Sequence, residues 1–114
     1  MRSLFLGVAA LVSLSAIPAD AATLSIASLT GRWCGDGVNY NISRSALTVT
    51  RKGEKKPQTI KITGHRVDGN EVQIFFADPY GGGSRFAEFS PDGRSMAQQG
   101  STFGSMPRRA FKRC

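Results

Sequence analysis

The sequence predicts an all-β protein: a small antiparallel meander of about six to eight strands, forming a barrel or a rolled sheet after a cleaved N-terminal signal peptide. Three observations predict this class. Short segments alternate between apolar and polar residues, turn signals separate them at spacings of about ten residues, and no long helical pattern follows the first apolar run. A chain of 114 residues has room for one such domain with a limited core.

The N-terminus, residues 1–21, has the pattern of a secretory signal peptide. After a basic start, Leu4–Ile17 is an uncharged apolar run of 14 residues, and Ala19–Ala21 fits a small-x-small cleavage site. The run is short for a membrane span, which needs about 20 apolar residues. Residues 22–28 are then a loose or helical lead, and residues 29–114 form the single β domain.

Strand signals follow in order along the mature chain, separated by turns and loops. The predicted strand segments are Leu29–Cys34, Val38–Ile42, Leu47–Thr50, Thr59–Thr63 with the pattern resuming at Val67, Val72–Phe76, Arg85–Ser90, Ser95–Gln99 and the last run, Ser105–Cys114. Asp68–Asn70 and Ser90–Arg94 carry tight-turn signals. Arg51–Pro57 and Asp78–Ser84 are predicted loops.

The two cysteines, Cys34 and Cys114, predict one intramolecular disulfide. In an oxidising compartment an even number of cysteines favours pairing. Cys34 ends the first strand and Cys114 ends the last, so the bond would join the two edges that a closing sheet brings together. The alternatives are a metal site, for which two cysteines and the single His65 supply few ligands, and a free thiol pair.

Gly31–Trp33 on the first strand, after an exported N-terminus and before a β meander, resembles the G-x-W element of lipocalins and other calycin-type barrels. The resemblance implies that Trp33 closes the barrel floor and that a basic side chain from near the last strand packs over its indole. Arg108, Arg109 and Arg113 are the candidates, and Arg109 is taken as the floor residue. Small bacterial relatives of this layout include periplasmic inhibitors and binding proteins, so the resemblance implies binding rather than catalysis.

The chain is basic, with 15 Lys and Arg against 8 Asp and Glu and a net charge of +7. The predicted signal peptide contains one residue of each sign, so the mature excess is the same. Such a charge permits binding to anionic polymers or surfaces, and it also serves solubility alone. The candidate anion-binding residues are Arg51, Lys52, Lys55 and Lys56 in the charged loop, and Arg108, Arg109, Lys112 and Arg113 at the C-terminus.

The loop at residues 78–84 is a candidate binding loop, because it combines an aromatic ring with flexible backbone. Its candidate residues are Tyr80, Gly81, Gly82 and Gly83. Successive glycine amides can cradle an anion, although a flexible connection with positive φ angles is the simpler interpretation.

The residues predict no catalytic site, no metal and no cofactor. His65 is the single histidine, no serine lies in a G-x-S-x-G pattern, and most aspartates fall at predicted turns. We therefore expect a secreted or periplasmic, monomeric, non-enzymatic binding or inhibitor-like domain with no membrane span after cleavage. Its partner is an unknown ligand or an envelope component, and the charge favours an anionic one. Export argues against nucleic acid. The alternative is a structural or stress-related envelope protein that adheres to anionic surfaces through its basic clusters.

Overall fold

Eight antiparallel strands close into a barrel in the computed structural model of the chain, which describes residues 24–102 and 106–114. The predicted all-β class is confirmed, and of the two predicted arrangements the barrel is the one formed. The predicted signal peptide, residues 1–21, lies outside the described residues.

One short helix, α1, spans Ile26–Leu29 and precedes the strands. The strands are β1 Gly31–Gly35, β2 Val38–Ile42, β3 Ala46–Arg51, β4 Gln58–Asp68, β5 Glu71–Phe76, β6 Gly83–Ala87, β7 Ser95–Ser101 and β8 Arg109–Arg113. Each strand pairs with the next one in the chain, and β8 pairs with β1. This is the predicted meander, closed by its first and last strands.

The alternation of the sequence places one face of each strand inside the barrel. In β2 the residues Val38, Tyr40 and Ile42 are buried while the two asparagines between them are exposed. Inside, the Tyr40 ring stacks on Phe111 with centroids 4.6 Å apart and meets Phe86 edge-on at 6.4 Å. These rings help to fill the interior, where apolar burial supplies most of the stability.

The N-terminal lead contains α1, which begins with a capping box. The Ser25 hydroxyl accepts a hydrogen bond from the Ala27 amide at 3.1 Å, and the Ser28 hydroxyl accepts one from the Ser25 amide at 3.1 Å. Ile26 and Leu29 are buried in the core, so the helix covers one end of the barrel. The first strand accordingly begins at Gly31 and not at Leu29.

β4 is longer than its sequence pattern predicts. It continues through Gly64, and its register against β5 shifts between Ile62 and Gly64. A bulge of this kind resets which residues face inward, so apolar and polar residues no longer alternate along the whole strand. For this reason the pattern stops after Thr63 and resumes at Val67, although the strand itself is continuous.

The connections divide between the two ends of the barrel. We call one the helix end; it has α1, the turn at residues 43–45, the β4–β5 turn and the β6–β7 connection at residues 88–94. We call the other the loop end; it has the β1–β2 turn, the basic loop at residues 52–57, the loop at residues 77–82 and the β7–β8 connection, of which residues 103–105 lie outside the described part.

A disulfide joins Cys34 to Cys114 across a sequence separation of 80 residues, which confirms the predicted pairing. Their Cα atoms are 5.0 Å apart, a spacing suited to a disulfide. The bond lies at the seam between β1 and β8, where Cys34 pairs with Lys112. The Cys114 amide also donates to the Arg32 carbonyl at 3.2 Å, so the chain terminus is held by both a covalent and a hydrogen bond.

Candidate functional site

The helix end of the barrel is sealed around Trp33. The indole is fully buried, and its Nε1 donates a hydrogen bond to the Leu29 carbonyl of α1 at 2.8 Å. The guanidinium carbon of Arg113 lies 3.8 Å from the indole centroid, within the range of a cation–π contact. The ring is therefore enclosed between the core and a cation.

The guanidinium of Arg113 also ties β8 to two other segments, the end of α1 and the β6–β7 connection. It donates to the carbonyls of Ser28 at 3.2 Å, Thr30 at 2.6 Å and Gly93 at 3.1 Å. Burial, and secondarily the positive charge of Arg94, lowers the pKa of Arg113 from its usual value. An arginine remains protonated at neutral pH even so, and the three carbonyls supply the acceptors that its charge requires.

The floor arginine is Arg113, and the choice of Arg109 was wrong. Both residues lie on the inner face of β8, together with Phe111, because side chains two apart share a face. The antiparallel register sets Arg113 opposite Trp33 and Arg109 opposite Gln98. The two arginines are four positions apart on the strand, a distance of about 13 Å. Arg109 thus lies toward the loop end and is exposed.

At the loop end the two residues that flank the basic loop connect it to the candidate binding loop. Arg51 donates from Nη1 to Gln58 Oε1 at 3.2 Å, and Gln58 donates from Nε2 to the Tyr80 hydroxyl at 2.7 Å. The Tyr80 side chain stays 53% exposed. Two regions that are 22 residues or more apart in the sequence therefore form one surface, with Gln58 as the link.

The basic loop presents its charges to solvent. Arg51, Lys52, Lys55 and Lys56 are all exposed. Glu54 is the one acidic residue of this segment, and it lies 3.9 Å from Arg51 with both side chains about half exposed. An exposed pair of this kind contributes little stability. The loop therefore keeps an excess of positive charge at the rim of the barrel.

The glycine-rich segment divides between loop and strand. The amides of Tyr80 and Gly81 donate to the Ala77 carbonyl at 3.1 and 3.2 Å, so these two amides are engaged within the loop. Gly83 opens β6 and is buried, and a Cβ at that position would overlap the Ile74 carbonyl oxygen. Gly83 therefore serves close strand packing, while Gly81 and Gly82 are partly exposed and the Tyr80 ring is the most exposed part of the segment.

Beneath the loop-end rim, three buried polar side chains form a chain inside the barrel. The Tyr40 hydroxyl donates to Gln98 Oε1 at 2.9 Å, and Gln98 Nε2 donates to Ser84 Oγ at 3.1 Å. Gln98 pairs in register with Arg109, whose guanidinium has no hydrogen-bond or ion-pair partner in the described part of the chain. Sequence reasoning missed Gln98 and Ser84. The available signal was that Gln98 occupies an inward position two residues after buried Met96.

The four C-terminal cations do not form one patch. Arg113 is the floor residue, Arg109 lies at the loop end, and Lys112 is exposed on the outer face beside Cys34. Arg108 forms a two-pronged ion pair with Glu88, including an Nε–Oε2 distance of 2.7 Å. Of this group, Arg109 and Lys112 are the two whose charged ends have neither an ion-pair nor a hydrogen-bond partner in the described residues.

Glu88 provides a testable electrostatic prediction. Its hydrogen bonds from Arg108, and secondarily from Gln99, lower the pKa of Glu88 from 4.5 to about 2. Because the folded pKa is depressed, the contribution of this carboxylate to stability is complete above about pH 4.5 and is lost as pH falls through about 2. Carboxyl-carbon NMR titration of Glu88 is expected to give the low value. Arg108→Gln should return the pKa toward 4.5 and Arg109→Gln should leave it low; an ordinary pKa in the unsubstituted protein would contradict the pairing.

The described residues bring together few groups that could catalyse a reaction or bind a metal ion. Among residues 24–102 and 106–114, no three His, Cys, Asp or Glu side chains cluster as a metal ion would require. His65 is exposed on β4, opposite Ile74. No helix within the same residues is long and apolar enough to cross a membrane.

Comparison of the chain with protein-family models, with curated proteins and with solved structures finds no match in any of the three. The geometry of the two barrel ends is therefore the basis for proposing a function.

Proposed function

We propose that this chain is an exported, monomeric, non-enzymatic binding domain of the calycin type that takes an anionic ligand at its loop end. The observation that carries the proposal is the asymmetry of the barrel. One end is sealed by α1, Trp33 and Arg113, and the other end carries Arg109 above a buried polar chain together with the basic loop. The loop end therefore offers a ligand both positive charge and hydrogen-bonding groups.

The calycin assignment is supported by the floor. In the resemblance drawn from Gly31–Trp33, a basic residue near the last strand packs over the tryptophan, and here Arg113 has that position. The disulfide supports the expectation of a periplasmic or secreted location, because disulfides persist in oxidising compartments. The ligand class follows from charge, since the basic loop and Arg109 together attract anions over several ångströms.

The positions of the described aromatic residues favour a small anionic group or a chain end as the ligand, and they disfavour nucleic acid. Trp33, Phe86 and Phe111 are buried in the core. A single-strand nucleic-acid surface places several such rings in solvent, where bases stack on them. Tyr80 is the one ring of the described part that is mainly exposed, which is enough to flank a bound group but not to form a stacking platform.

The test is a binding titration with three defined probes: laurate, citrate and inorganic phosphate, followed by amide chemical shifts. We expect shifts at Arg109, Gln98 and Tyr80 with at least one probe. Arg109→Gln should weaken that binding by about tenfold or more, because a charge-assisted hydrogen bond is lost.

Arg44→Gln is the matched control, since it removes the same charge from an exposed turn at the helix end. Equal weakening by both substitutions, with all binding lost at moderate salt, would indicate the alternative function, unspecific adhesion to anionic surfaces. Binding that survives the Arg109 change would place the site elsewhere.

A further inference from the structure

The outer surface of β1, β2 and β3 carries a regular array of polar side chains that the loop-end proposal does not use. We call it the amide–hydroxyl face. Its members are Arg32, Asn39, Asn41, Thr48, Thr50 and, from the adjoining β4, Thr59. Strand register aligns them in two rows, Arg32–Asn41–Thr48–Thr59 and Cys34–Asn39–Thr50. Neighbouring groups in a row are about 4.8 Å apart, the spacing of paired strands.

The amide groups of this face are free to bind a ligand. Asn39 and Asn41 are exposed, and no described residue donates to or accepts from either side-chain amide. Asparagine is disfavoured in strands because its side chain competes for backbone hydrogen bonds and packs poorly. Two asparagines at the two outward positions within β2 therefore do not serve strand stability, which threonine would serve better.

The charged side chains on the strands of this face are of one sign. β1, β2 and β3 contain no Asp or Glu, and the exposed cations Arg32, Lys61 and Lys112 surround the asparagines and threonines. None of these three cations has a carboxylate partner in residues 24–102 and 106–114. The face thus offers amides and hydroxyls in the centre and uncompensated positive charge at its borders.

A groove follows this face. It has a volume of about 330 Å³ and is lined by Arg32, by both outward asparagines and by the Cys34–Cys114 disulfide. The disulfide contributes to its lining at the seam of the barrel, and Thr48 and Thr50 contribute to it from β3. The groove runs across strands, so it matches the direction in which the rows of polar groups repeat.

We propose that the amide–hydroxyl face binds an anionic polysaccharide. Amide and hydroxyl side chains donate to and accept from the hydroxyls of sugars, and the bordering cations attract carboxylate or sulfate substituents. The repeat of the two rows suits a polymer, which can place successive sugars on successive strands. This site is separate from the loop end, and neither proposal depends on the other.

Other occupants fit the surface less well. A lipid-binding surface inserts apolar side chains, yet the large exposed apolar residues of the described part, Val67, Tyr80 and Met106, lie off this face. A protein interface has an aromatic or apolar centre, where this face has asparagine and threonine. The composition therefore selects a ligand rich in hydroxyl groups and negative charge.

The test measures binding of the oxidised mature protein to dextran sulfate and to polygalacturonate, with neutral dextran and phosphatidylglycerol vesicles as comparisons. The first variant is Asn39→Ala/Asn41→Ala, which changes no charge. We expect it to weaken binding to an anionic polysaccharide by about tenfold, from the loss of hydrogen bonds. The dependence of the remaining affinity on salt should be unchanged. Near-ultraviolet circular dichroism verifies that this variant is folded.

The second comparison sets Arg32→Gln against Arg94→Gln, which removes the same charge from the exposed β6–β7 connection, away from both proposed sites. The proposal expects weaker polysaccharide binding from the first and full binding from the second. It is overturned if the double asparagine variant binds as well as the unsubstituted protein, if both arginine variants lose affinity equally, or if neutral dextran binds as tightly. Binding to the vesicles with none to either anionic polysaccharide also overturns it, in favour of a lipid surface. A failure of laurate, citrate and phosphate at Arg109 would leave this result unaffected.

Discussion

Replacement of Trp33 by alanine is expected to lower the free energy of unfolding by about 3 to 5 kcal/mol. The indole is fully buried, so alanine leaves a cavity at the helix end that the barrel backbone cannot easily fill. The substitution also removes the donor to the Leu29 carbonyl and the surface on which Arg113 lies. Since the total free energy of unfolding of a small domain is only about 5 to 15 kcal/mol, the variant should be marginally folded.

Urea denaturation followed by far-ultraviolet circular dichroism measures this effect, because Trp33 is the single tryptophan and its fluorescence disappears with the substitution. In the unsubstituted protein the emission maximum should be shifted to the blue, as expected for a buried indole. Trp33→Phe is the conservative comparison: it keeps an aromatic ring and loses the Nε1 hydrogen bond. Trp33→Phe should lower the free energy of unfolding by less than Trp33→Ala does. If the free energy of unfolding of Trp33→Ala lay within about 1 kcal/mol of that of the unsubstituted protein, the sealed floor would be contradicted.

Arg113→Met and Arg109→Met form the matched pair that separates the two arginines. Methionine retains much of the side-chain length, so the first substitution removes the cation–π contact and three hydrogen bonds without leaving a large void. The cation–π contact alone is worth about 0.5 to 2 kcal/mol. Arg109 is exposed and has no such contacts, so its replacement should change stability little.

The fold could be predicted from the sequence where its determinants are local. Alternation identified the strands, and Asp68-Gly69 and Pro91–Gly93 identified tight turns; Gly69 and Gly93 indeed adopt positive φ angles of 63° and 73°. A meander of hairpins can hide its edges by bringing its first strand against its last, so the strand order predicted a barrel or a rolled sheet, and the barrel is the one formed. The disulfide followed in turn, since two cysteines on the closing strands permit one pairing.

The site was less predictable because it depends on register across the seam. Three arginines near the C-terminus were compatible with a cation over Trp33, and only the pairing of β8 with β1 selects Arg113. Glutamine is a residue type that is usually exposed. The burial of Gln98 depends on its hydrogen-bond partners Tyr40 and Ser84, which other strands bring to it. The bulge after Ile62 is likewise invisible in the alternation that it interrupts.

Loss of the disulfide is the second large expected effect. Replacing both Cys34 and Cys114 by serine should lower the free energy of unfolding by about 4 kcal/mol, because the bond constrains a loop of 80 residues in the unfolded chain. Chemical denaturation of oxidised protein, fully reduced protein and the double variant measures the effect. The last two curves should coincide and lie well below the first. Superimposed curves for all three would show that the bond contributes nothing.

The disulfide and Arg113 should also act together, because Cys114 follows Arg113 directly and both hold the end of β8. Arg113 binds that strand to α1 and to the Gly93 carbonyl, while the disulfide binds it to β1. Once the disulfide is absent, fraying of the last residues already weakens the arginine contacts. Combining Arg113→Met with the two serine substitutions should therefore lower the free energy of unfolding by less than the sum of the separate effects. The difference should be about 0.5 kcal/mol or more. Strict additivity would mean that the floor keeps its structure without the disulfide, and that the sealed end depends on Arg113 and Trp33 alone.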